Sequence, residues 1–156
     1  PLDTASRAAL ARYITFGGFV VCDSVDGQEN GGAVASFERE LKAIIEDTPL
    51  QVIPRGHVIY KSFYLLDRAQ GRTLASDDLL GIQRDNRVSV VITRNDLGGA
   101  YARDNFGLYL HEVVPGGDTQ RESAFRLGVN LIMYALCLDY KEDQVHIPFI
   151  LKKRRR

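Results

Sequence analysis

Gly17-Gly18-Phe19-Val20-Val21-Cys22-Asp23-Ser24-Val25-Asp26-Gly27 reads as a buried strand, entered through a glycine pair and left through a polar turn with two carboxylates. The unbroken apolar run from Phe19 to Cys22 suits a strand covered on both faces. Upstream, Asp3 or Thr4 can cap a helix reaching Ile14, with Ala5, Ala8, Ala9 and Ala11 supplying propensity and Leu10, Tyr13 and Ile14 an apolar stripe. Gly17-Gly18 stops that helix. Helix, glycine turn and buried strand together predict an α/β fold. Ligands of open α/β sheets bind outside the carboxyl ends of the strands, so the turn from Asp23 to Gly32 belongs on the rim of any site.

Working outward, Phe37, Leu41, Ile44 and Ile45 recur at helical spacing and predict a helix from Val34 to Asp47, ended by Thr48-Pro49. Leu50 to Ile53 is a candidate strand, and His57 to Leu66 has no clean period and reads as irregular. Gln70-Gly71-Arg72 and Ser76-Asp77-Asp78 mark a surface excursion. Arg87 to Thr93 is the most strand-like stretch and also ends in a polar turn, Arg94-Asn95-Asp96-Leu97-Gly98-Gly99. Within the polar region that follows, Leu108 to Val114 is a candidate strand or hairpin arm. Asp118 or Thr119 opens the longest helix, to about Asp139, with Thr119 and Glu122 spaced as a capping box. Arg126 and Asn130 on this helix are expected to bond loop backbone from beneath. Val145 to Leu151 is a candidate edge strand bearing Pro148.

The 156 residues suit one α/β domain over 1–151, followed by a basic tail, 152–156. Lys and Arg equal Asp and Glu in number, so no global field draws in nucleic acid or an anionic membrane. No apolar stretch is long enough to span a bilayer. The chain starts at Pro1, inside a helix-entry signal, and reads as a piece of a longer protein.

Catalytic templates fit poorly. Cys22 stands where a strand-end nucleophile would, but a nucleophile elbow needs glycine at both flanks, and Val20 and Ser24 occupy them. No phosphate loop is present, and a calcium loop begun in the Asp23 turn would put Cys22 and Ala33 at ligand positions. His57, His111 and His146 have no metal-ligand spacing, so no metal and no cofactor is expected. The two strand ends are more suggestive. In a parallel sheet they emerge on one rim, where Asp23, Asp26 and Asp96 could meet Arg94, Asn95 and Arg103, with His57 over the cleft. The competing reading is structural: Asp and Asn side chains capping turns, arginines pairing carboxylates across loops, His57 capping a turn.

Tyr13 to Asp26, His57 to Leu66, Val90 to Ala102, Pro115 to Tyr140 and Lys141 to Ile150 together resemble the domain of unknown function 4159 family over essentially the whole chain. The resemblance implies a three-layer α/β sandwich with a mostly parallel sheet, flavodoxin-like or similar to class I glutamine amidotransferases. Family members carry further strands before the equivalent of Pro1, so this chain is expected to be the C-terminal part of the domain. Many members are extracytoplasmic, periplasmic or membrane-tethered, and no activity or catalytic residue comes with the family. Two functions are then open. One is a non-catalytic binding or protein-interaction module of a bacterial cell-envelope protein, contacting an unknown small molecule or protein. The other is a hydrolase or lyase using Asp23, Asp96 and His57.

Overall fold

A computed structural model describes residues 1–45, 49–84 and 86–153, with the backbone alone from 138 to 153. In chain order the elements are α1 (Thr4–Thr15), β1 (Val20–Asp23), α2 (Gly32–Ile44), β2 (Gln51–Val52), a 3-10 turn (Val58–Lys61), β3 (Leu80–Arg84), β4 (Arg87–Thr93), α3 (Leu97–Tyr101) and α4 (Gly117–Lys153). The strands form one sheet in the order β1-β4-β3-β2.

The sheet is mixed: β1 runs parallel to β4, while β3 is antiparallel to both β4 and β2. The expected mostly parallel arrangement does not describe these four strands. The reason is local. Arg84 pairs with Arg87 across a tight turn in which Asn86 takes positive φ, and so short a link between strands permits only antiparallel pairing. β3 itself follows the Ser76-Asp77-Asp78 excursion, in a stretch to which the sequence assigned no element, because Gly81 and Gln83 interrupt its apolar pattern.

Helices pack on both faces. Ile14 of α1 and Leu41 of α2 meet Ile82, Val90 and Ile92 on one face. On the other, Ala124, Leu127, Leu131 and Tyr134 of α4 meet Val88, Val91 and the 3-10 turn residues Ile59 and Tyr60. A register shift between β3 and β4 lets Val88 and Val90 reach opposite faces, and the buried Ser89 hydroxyl donates to Ile82 O at 3.3 Å. Each large apolar side chain buried this way contributes about 1.5–3 kcal/mol.

Asp3 caps α1, accepting from Ser6 N at 2.7 Å, as its position predicts. α4 begins differently from its predicted capping box. Glu122 pairs with Arg126, and Gln120 accepts from Gly116 N at 2.9 Å while donating to Gly71 O, Arg72 O and Val114 O. The candidate strand at Val145 to Leu151 is instead helical backbone, part of α4. No glycine interrupts the chain after Gly128 and no proline before Pro148, so helical propensity carries the backbone up to that residue. Leu108 to Val114 is loop, held by a bridge between Arg103 and Tyr109 and by backbone hydrogen bonds from Leu110 N to Ala102 O and from Val114 N to Arg72 O. Residues 46–48, where the second predicted helix was to end, and 154–156 of the basic tail lie outside the described residues. Among those described, no helix is long and apolar enough to cross a membrane.

Candidate functional site

Asp23 is in register with Thr93, so the parallel strands β1 and β4 end together. From there β1 leads to α2 on one face of the sheet and β4 leads to α3 and α4 on the other. Adjacent parallel strands whose exits diverge in this way leave a crevice between them. A cleft of about 440 Å³ opens at this rim. Val25 lines it from the exit of β1, Asp96, Gly98 and Gly99 from the exit of β4, and Arg72, Ala102 and His111 from neighbouring loops.

The carboxylates behind this rim are already engaged. Asp23 Oδ1 accepts from Thr93 Oγ1 at 2.7 Å and from Leu97 N at 2.9 Å, and its Oδ2 accepts from Gly98 N at 2.7 Å. Asp96, with positive φ, caps α3 by accepting from Gly99 N at 3.0 Å, and its other oxygen pairs with Arg72 Nε. A Cβ at residue 99 would collide with that carboxylate, so any other residue there would displace the Asp96 cap. Asp26 folds back on its own turn, accepting from Ser24 Oγ, Ala33 N and Gln28 N. The Ser24 hydroxyl, followed by the Ala33 amide, holds the Asp26 carboxyl below its ordinary range.

The remaining candidates serve the scaffold. Arg94 is 8% exposed and turns away from the cleft to Ser76 Oγ, Asp78 O and Glu29. Asn95 is fully buried and staples the 69–76 segment, donating to Ala69 O and Ser76 O and accepting from Ser76 N. Arg103 donates to Gly107 O and Tyr109 Oη and lies 4.1 Å from the Tyr109 ring centroid. Thus Asp23 and Asp96 share the start of α3, whereas Asp26 holds its own turn, Arg94 and Asn95 both hold the segment at Ser76, and Arg103 holds the loop from Gly107 to Tyr109.

His57 does not line this cleft. Its Nδ1 accepts from Ile59 N at 3.2 Å, capping the 3-10 turn, and its ring lies 5.6 Å from that of Tyr134. The Tyr134 hydroxyl in turn accepts from Val88 N at 2.9 Å. Burial, with the Lys61 ammonium second, pulls the His57 pKa down. Cys22 packs into the apolar cluster under α1 and α2, and burial pushes its thiol up to about 11. Among the described residues, no three His, Cys, Asp or Glu side chains cluster as a metal site would require.

Arg72, Gly98, Gly99 and His111 line the cleft although sequence reasoning did not name them as site residues. The Gly98-Gly99 pair directly after a strand-end Asp was a usable signal. For Arg72 none existed, because a loop 24 positions upstream of Asp96 brings it there.

A family model described as a domain of unknown function, DUF4159, matches residues 1–136, and the chain belongs to that family. No curated protein matches it.

Proposed function

We propose that this family member is a non-catalytic binding module that contacts a small molecule or a protein partner through the crevice between β1 and β4. One observation carries the reading: the rim carboxylates Asp23 and Asp96 each accept hydrogen bonds from the backbone amides of α3, which suits a role in holding the rim. The competing hydrolase or lyase reading pairs these carboxylates with His57, which does not line the cleft and is held capping the 3-10 turn beside Tyr134. Family resemblance extends the proposal to a setting, an extracytoplasmic protein of the bacterial cell envelope. It also extends it to the fold: β1 is an edge strand here, with Val21 exposed, and further parallel strands on that edge would complete a flavodoxin-like or amidotransferase-like sandwich.

The test is a small-molecule screen read by amide chemical shifts, on the wild type and on Ala102→Trp, which fills the cleft without removing a rim hydrogen bond made by a side chain. A hit should perturb Val25, Gly98 and His111, disappear in Ala102→Trp and be recovered chemically unchanged. Turnover of the hit would favour the enzyme reading.

A further inference from the structure

We infer that the crevice takes a small oxyanion-bearing ligand, a carboxylate or a phosphate, held by Arg72 and His111; this rests on the crevice being the contact site. A ligand must complement the hydrogen-bonding groups still open to it. Both oxygens of Asp23 and both of Asp96 already receive donors. The nearby amides are engaged too, since Leu97 N and Gly98 N go to Asp23 and Gly99 N goes to Asp96.

What stays open are donors on side chains. Arg72 uses Nε on Asp96, and neither of its terminal nitrogens has a partner among the described residues. The His111 ring likewise has no hydrogen-bond partner among them, and both residues line the cleft. Arg72 is also fixed from behind. Its amide donates to Asp96 O at 3.0 Å, and its carbonyl accepts from Val114 N at 2.9 Å and from Gln120 Nε2 at 3.2 Å. A guanidinium held at its backbone and at Nε presents a planar pair of donors, the geometry that grips carboxylate or phosphate two-pronged. Val25 and Ala102 give the rest of the cleft apolar contact, so the ligand would carry a small apolar part beside its oxyanion.

Inorganic phosphate is the first probe and acetate the second, titrated at constant ionic strength and followed by amide shifts. Saturable movement of Arg72, Gly98, Gly99 and His111 is expected. Arg72→Gln should weaken binding about tenfold, the loss of one charge-assisted contact, with Arg72→Lys in between. His111→Ala, whose ring supports no described hydrogen bond, should weaken it without changing stability; this variant keeps the test alive should Arg72→Gln fail to fold. Unsaturable shifts, shifts unchanged in both Arg72→Gln and His111→Ala, or shifts confined to Lys152 to Arg156 would overturn the assignment. If both anions fail but another ligand binds and is lost in Ala102→Trp, the oxyanion class falls and the site stands. If no ligand responds to Ala102→Trp, both fall.

Discussion

Asp23 Oδ2 accepts the amide hydrogen of Gly98 at 2.7 Å, joining the last residue of β1 to the first turn of α3 across 75 positions of sequence. With Leu97 N and the Thr93 hydroxyl on its other oxygen, this carboxylate terminates one parallel strand and starts the helix that follows its neighbour. A residue that first suggests chemistry is thereby placed in architecture.

Asp23→Ala should therefore unfold more easily, by about 2–3 kcal/mol, since it strands two amides and a hydroxyl at a helix start. Asp23→Asn keeps an acceptor for one amide and should lose about half as much. Urea denaturation of both variants measures the difference. A neutral Asp23→Ala would mean that the carboxylate is not the cap described here.

Asn130 should matter as much from the far side of the fold. Fully buried on α4, it accepts from Phe63 N and Tyr64 N and donates to Tyr64 O, closing the segment after the 3-10 turn. Asn130→Ala leaves three backbone groups without these partners and is expected to cost about 3 kcal/mol in urea denaturation.

The pH dependence of stability should carry the signature of His57. Its folded pKa lies below the unfolded value of about 6.5, so the unfolded chain takes up the proton first as pH falls. Its contribution is full above that value and is lost progressively below it, down to the folded pKa. Protonation also removes the Nδ1 lone pair that accepts from Ile59 N. His57→Asn retains a capping acceptor and should melt close to the wild type at pH 7, with a smaller drop in melting temperature towards pH 5. Equal drops in the two proteins would contradict the assignment.

Cys22 should be inert. A thiol pushed up to about 11 is almost wholly protonated at neutral pH, so iodoacetamide should modify it on the order of a hundredfold more slowly than an ordinary exposed thiol. Rapid modification of Cys22 in the native protein would reopen its reading as a nucleophile.

How much of this was legible in advance depended on whether the information was local. α1, β1, β4 and the first part of α4 follow from periodicity and breakers that lie within each element. β3 escaped because its burial comes from pairing with β4, with Gly81 packed against Ile53 where an apolar side chain was the expected sign. The rim followed the same division. Two strand ends with acidic turns pointed to one rim of the sheet, and Asp23 and Asp96 meet there at the start of α3. Arg72 and His111 arrive through loops whose course Asn95, Gln120 and Arg121 set by bonding to backbone carbonyls. His57 follows the structural reading offered for it: its ring nitrogen caps the 3-10 turn, and it does not line the cleft.

The most direct measurement is the amide-shift map of the wild type and Ala102→Trp titrated with the best ligand from the screen. Saturable shifts at Val25, Arg72, Gly98 and His111, absent from Ala102→Trp and with the ligand recovered intact, are expected of a binding crevice between β1 and β4. Shifts centred on His57 and Tyr134, or conversion of the ligand to product, would contradict it.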